Sequence, residues 1–215
     1  VCKVGLTTLP EAEEMLRIAD EDASGWRKTS LAHRNQILHE SIVPARMSGE
    51  LQSNAKKMAE KIADSLNLCG ILGVEMFVGS DGRLYVNELA PRPHNSGHYS
   101  IEACNFSQFA VHNRAICNWP MPKIDLLSPV VMVNLLGDLW FDAQGTAREP
   151  DWTAIAAPDL TLHLYGKSDA RPGRKMGHYT VLGDTVAPLR ERAEACRAAL
   201  APESATPAAQ VQRAA

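Results

Sequence analysis

The chain has 215 residues, with 22 Lys plus Arg against 25 Asp plus Glu, a formal charge of -3, 45% hydrophobic and 22% charged residues. That is enough for one ordinary domain or two small ones, and it excludes both a disulfide-stapled miniprotein and wholesale disorder. The balance is slightly acidic, so no nucleic acid and no membrane surface is expected as a partner, and small neutral or anionic ligands remain open. No apolar run approaches the ~18 residues of a membrane span, and the start has no secretory pattern, which together predict a cytoplasmic protein. The lack of an initiator Met predicts a truncated one. The five cysteines are scattered, without a C-x-x-C pair, and are expected as reduced thiols.

In chain order, residues 10–22 form an acidic stretch with rough helical spacing. Residues 48–66 are a stronger helix, with Leu51, Ala55, Met58, Ala59, Ile62, Ala63 and Leu66 recurring at three and four and Ser48 placed as the cap. This helix should pack on a sheet. Residues 70–78 and 83–89 are β-rich runs around Gly79, Ser80, Asp81 and Gly82, the pattern of a hairpin. Residues 101–119 read as one helix with Phe106, Phe109, Ala110, Ala115 and Ile116 inward, stopped by Pro120 and Pro122. Strands are expected at 130–136, 161–165 and 178–182, with a basic turn at 166–177, then a helix from about Pro188 and a mobile tail.

Glu75 and Glu88 lie one in each strand of the hairpin. A carboxylate in an otherwise apolar strand faces either solvent or a ligand cleft, and two on one face call for a cation between them. Mg²⁺ suits such hard ligands, because it keeps waters and is completed by nucleotide phosphates. The alternative is a pair of solvated strand carboxylates. Directly after Glu88, the stretch LAPRPHNSGH gathers Arg92, His94, Asn95, Ser96 and His98 in a loop too rich in proline to be regular. Arg92 offers a fork for a carboxylate, bicarbonate or phosphate, and His94 can move a proton near neutral pH. Lys167, Arg171, Arg174 and Lys175 around Pro172 and Gly173 make a basic turn that is either solvated or a phosphate grip.

The run NELAPRPHNSGH resembles the signature of the 5-(carboxyamino)imidazole ribonucleotide synthase family, ATP-grasp enzymes of purine biosynthesis. HRNQILHESIVPAR, GVEMFV, QFAVHNRAICNWP, VMVNLLG and KSDARPGRKMGHYTVLGD extend the resemblance over residues 31–185. It implies an ATP-dependent ligase that activates bicarbonate and carboxylates 5-aminoimidazole ribonucleotide, with ATP and Mg²⁺ as cofactors and a homodimer as the assembly. It further implies Glu75 and Glu88 as Mg²⁺ ligands, with His33, Asn87 and Glu88 beside ATP. Arg92 and His94 fall at the reacting end, and Lys167 and Arg174 hold the ribonucleotide phosphate.

Complete members of that family begin with a dinucleotide-fold-like domain and a Gly-rich phosphate loop, and neither pattern occurs in residues 1–30. The expected fold is therefore α+β: an unplaced leader at 1–30, then the C-terminal half of an ATP-grasp at 31–122, a mostly antiparallel sheet with helices. A small β-rich C-terminal domain follows at 123–187, and a helix with a mobile tail at 188–215. The chain alone is expected to be inactive. Two alternatives stand beside the synthase: a catalytically silent fragment that binds the ribonucleotide or a partner, and another ATP-grasp ligase such as the formate-using glycinamide ribonucleotide transformylase.

Overall fold

A computed structural model describes residues 40–79 and 81–201. The helix expected within 10–22, the leader, His33 and the tail beyond 201 lie outside the described residues.

Among the described residues the strands and α-helices follow in order: β1 Glu40–Val43, α1 Gly49–Ser65, β2 Gly73–Val78, β3 Leu84–Ala90, α2 Ser100–Ala103, α3 Gln108–Ile116, β4 Val130–Leu136, β5 Leu160–Leu164, β6 Lys175–Leu182 and α4 Val186–Leu200. They form an α+β fold with a four-stranded sheet in the order β1-β4-β6-β5 and a two-stranded sheet of β2 and β3, every pairing antiparallel. The four-stranded sheet takes β1 from before the proline pair at 120 and 122 and its other strands from after it. No helix among the described residues is long and apolar enough to cross a membrane.

Side chains alternate along β4, so Val131, Val133 and Leu135 share one face with Tyr179 and Val181 of β6. That face meets the stripe Leu189, Ala193, Cys196 and Leu200 of α4, with Ile155 closing the core. Tyr179 is fully buried, and its hydroxyl donates to the Ala193 carbonyl at 2.7 Å, so that polar atom is satisfied within the layer. All seven residues of β4 are buried. A strand covered on both faces reads as a continuous apolar run, which VVMVNLL does apart from Asn134.

The helix at 48–66 forms as its periodicity predicts, with the Ser48 hydroxyl accepting from the Leu51 N–H at 3.2 Å and Ile62 buried on the apolar stripe. The single helix expected over 101–119 is instead two. Cys104 bridges to Leu126, Asn105 exchanges bonds with Asp125, and Ser107 then caps α3 through the Ala110 N–H. Its inward side also differs from the expectation, because Phe109 and Ile116 are exposed while Gln108 is buried. The cause is polar docking by Gln108, described below.

Candidate active site

Two one-residue irregularities decide which side chains share the site. In the hairpin, Met76 pairs with Val86 but Glu75 pairs with Glu88, so Asn87 is an extra residue on β3. Without it, Glu75 would oppose Asn87, and Glu88 would fall on the other face. The bulge thus puts two carboxylates directly opposite each other, an arrangement that repels unless a cation intervenes. The Asn87 amide turns to the same side and donates to Glu75 Oε2 at 3.1 Å.

In β6, Leu135 pairs with Gly177 but Leu136 with Lys175, so Met176 is the extra residue. That shift moves Lys175 from the face of Tyr179 to the opposite face, where Asn134, His178 and Thr180 lie. The Lys175 ammonium donates to Asn95 Oδ1 at 2.8 Å. Burial lowers its pKa, and the nearby Glu75 and Glu88 carboxylates partly restore it, which places one cation within electrostatic reach of both acids.

The loop after β3 carries His94, whose Nε2 stands 3.4 Å from Glu75 Oε1 while Nδ1 lies 2.8 Å from Ser96 Oγ. What seats this loop is a row of polar residues in register across the large sheet. Asn134, His178 and His163 are direct cross-strand neighbours on β4, β6 and β5. Asn95 donates to Asn134 at 2.8 Å, the His98 ring stacks on His178 at 5.1 Å, and Glu102 meets His163 Nε2 at 2.6 Å. Glu102 also accepts from Thr180 at 3.0 Å. The loop and α2 therefore lie along the row like a strip fixed at three points, and Asn95 of this loop is bonded to Lys175.

His178 sits in the middle of this row, 2% exposed, with Nδ1 2.9 Å from the Tyr165 hydroxyl. Burial, followed by the neighbouring His163 and His98, depresses its pKa to about 3. Because the folded value lies below the unfolded ~6.5, the unfolded state binds the extra proton first, and stability is lost as pH falls below 6.5 toward 3. At pH 5 the His178 share of that loss is about 2 kcal/mol. Urea unfolding at pH 7 and pH 5 checks this: His178→Gln should shrink the difference between the two values by that amount, and an unchanged difference would contradict it.

The basic turn is fastened to the end of β4. A Cβ on Gly137 would come within 2.1 Å of the Arg171 carbonyl, so only glycine admits the turn there. Gly173 N–H donates to Asp138 at 2.9 Å. Lys167 donates to the Lys175 carbonyl at 2.6 Å and lies over the Tyr165 ring, while Arg174 donates to the Asp169 carbonyl at 2.6 Å, and Asp169 also pairs with Arg171. Lys167 and Arg174 thus stand beside Lys175 rather than in a detached loop. Arg92 is exposed, its guanidinium donating to the Pro93 carbonyl at 3.2 Å.

Of the expected site residues, Glu75, Asn87, Glu88 and His94 come together, and Lys167 and Arg174 adjoin them through Lys175. The roles of Lys175 and Asn95 within the acid cluster, and that of Gln108, were missed. Lys175 reads in sequence as one more charge of the basic turn, and only the bulge at Met176 separates it from its neighbours.

Comparison with known proteins matches residues 13–109 to the ATP-grasp domain and residues 130–192 to the phosphoribosylaminoimidazole carboxylase C-terminal domain. The N5-carboxyaminoimidazole ribonucleotide synthase of Bacillus subtilis is 46% identical over 168 residues, 78% of this chain and 42% of that protein. The solved N5-carboxyaminoimidazole ribonucleotide synthetase from Thermotoga maritima superposes with a TM-score of 0.67 at 44% identity, over 74% of this chain and 44% of that one. The Aspergillus clavatus synthase, solved with ADP and 5-aminoimidazole ribonucleotide, gives 0.66 at 34% identity, over 75% of this chain and 43% of that one. The chain spans about two fifths of the length of the curated relatives it matches. With an ATP-grasp segment followed by this C-terminal domain, and relatives of one kind by sequence and by structure, the chain belongs to the N5-carboxyaminoimidazole ribonucleotide synthase family.

Proposed function

We propose that this chain supplies the acid cluster and the ribonucleotide-binding end of an enzyme that uses ATP and bicarbonate to carboxylate 5-aminoimidazole ribonucleotide. The observation that carries the reading is the face-to-face pair Glu75 and Glu88, brought together by a bulge and flanked by His94 and Lys175. Mg²⁺ fits there, because two opposed hard carboxylates are the ligand set it takes, the remaining positions being completed by waters and nucleotide phosphates. Held by Glu75 and Glu88, the ion would neutralise charge on ATP phosphates. Asn87 orients Glu75, and with Glu88 forms part of the ATP wall, a wall to which His33 would also contribute.

His94 and Arg92 stand at the reacting end, where donors aimed at developing charge on the transferred phosphoryl and acyl oxygens lower the barrier. His94 holds its Nε2 toward the acids, in reach of a proton on bicarbonate or on the attacking amine. Lys167 and Arg174 grip the ribonucleotide phosphate, with Asp169 keeping the Arg174 fork oriented. The products are ADP, phosphate and the carboxyamino ribonucleotide. We read the working enzyme as a cytoplasmic homodimer.

The test is phosphate release by this chain joined to the part of a relative that it does not span. Release should require bicarbonate and 5-aminoimidazole ribonucleotide together. Release that is indifferent to the ribonucleotide, or that needs formate instead of bicarbonate, overturns the assignment. In the same assay Arg174→Ala should weaken ribonucleotide binding by ~1.5 to 3 kcal/mol, the scale of a hydrogen bond to a charged group. Its KM for the ribonucleotide should rise and its KM for ATP should not. Equal rises would give the basic turn another role.

A further inference from the structure

Gln108 opens α3, carries no charge and is 8% exposed. Its side chain makes three bonds, all to the His94–His98 loop. Oε1 accepts from the His94 N–H at 2.9 Å, while Nε2 donates to the His94 carbonyl at 2.8 Å and contacts His98 Nδ1 at 2.8 Å. The two main-chain contacts fix which end of the amide is which, because reversing it would set donor against donor at His94 N–H and acceptor against acceptor at its carbonyl. Nε2 is then a donor, and His98 Nδ1 facing it must be an acceptor. The Gln108 N–H is itself held by Ser100 Oγ at 2.8 Å, and Ser100 donates to the Gly97 carbonyl at 2.5 Å. Gly97 leaves the space: a Cβ there would lie 2.6 Å from Gln108 Oε1.

We propose that Gln108 is a positioning residue of the site, clamping the His94 main chain on both sides and holding His98 as the neutral Nε2–H tautomer. The first half aims the His94 ring at Glu75, since a loop bonded at N–H and carbonyl of the same residue cannot rotate there. The second half makes His98 a donor only, suited to a carboxylate, bicarbonate or phosphate oxygen and closed to a proton on Nδ1. Groups facing His98 are Phe109 and Gln108 from α3, His178 and Lys175 from β6, Tyr165 and His163 at β5, with His163 paired to Glu102, and His94 from its own loop. Burial first, then the neighbouring Lys175, His163 and His94, lowers the pKa of His98, so a neutral ring agrees with its surroundings.

The kinetic part of this inference rests on the proposed carboxylation, and the tautomer does not. Long-range ¹H–¹⁵N spectra of the labelled chain, with His98 assigned through His98→Gln, should show protonated Nε2 and bare Nδ1 at pH 7. In Gln108→Glu the carboxylate can only accept, so the His98 proton should move to Nδ1 or the ring should become charged. A charged or Nδ1–H ring in the unaltered chain overturns the proposal, and this arm stands even if Gln108→Glu fails to fold. Identical ring spectra in the two proteins overturn it as well. In the completed enzyme, Gln108→Glu should lower kcat by about tenfold or more with KM for the ribonucleotide within about twofold, the cost of a misaimed reacting group. Unchanged kcat removes the positioning role, whereas absent turnover in the unaltered enzyme counts against the function and leaves the spectra to decide the clamp.

Discussion

Glu88→Gln should abolish ATP turnover in the completed enzyme while leaving the fold unchanged. The carboxylate stands opposite Glu75 at a bulge, and a neutral amide there forfeits half of the charge that would hold Mg²⁺ against the phosphates. A metal ion contributes several kcal/mol of charge stabilisation to phosphoryl transfer, and ~1.4 kcal/mol is tenfold in rate, so a loss of at least about a hundredfold is expected. The fold should survive because Glu88 is exposed and its removal relieves a like-charge contact. Turnover rates at several Mg²⁺ concentrations, with a thermal melt as the control, check this. Near-normal turnover at low Mg²⁺ would sink the assignment. Glu75→Gln should behave alike.

The 215-residue chain by itself should show no ATP-dependent carboxylation. An ATP-grasp encloses the nucleotide between two subdomains, and phosphoryl transfer depends almost wholly on positioning and charge stabilisation. The acids, His94 and the basic turn are present here, whereas residues 1–30 hold no Gly-rich stretch able to cover phosphates. Ribonucleotide binding through Lys167 and Arg174 should persist weakly, since both belong to a turn fastened to β4 within this chain. Phosphate release is measured on the chain alone and after adding the unspanned part of a relative in trans. Substrate-dependent turnover by the chain alone would refute the argument, and activity only on addition would support it.

Elements whose side chains obey a single period were legible from the sequence. The stripe of α1 and the apolar run of β4 are local patterns, and each forms where expected. The hairpin was legible too, yet its register was not. Nothing in NELAP marks Asn87 as an extra residue, because a bulge without glycine leaves no compositional trace, and the outcome depends on pairing energy summed over the strand. The same holds for Met176 and hence for Lys175. The helix break at residues 104–107 escaped because its cause is Asp125, distant in sequence. β1 escaped because four residues carry too little pattern to outweigh their neighbours. The acid pair and the basic turn could be seen as clusters of charge, while the polar row that joins them required knowing that Asn134, His178 and His163 are neighbours across three strands.

The pairing of β1 with β4 also governs what happens when the chain is divided. β4 lies second in the sheet, shielded on one side by a four-residue strand that comes from the far side of the proline pair. A polypeptide starting after those prolines lacks that shield, and VVMVNLL becomes a bare edge of unpaired N–H and carbonyl groups bearing six apolar side chains. Such an edge is a template for adding strands from other chains, and it carries no lysine or proline to discourage them. The short strand therefore acts as a cap against self-association, and the boundary that looks natural in the sequence is the wrong place to cut.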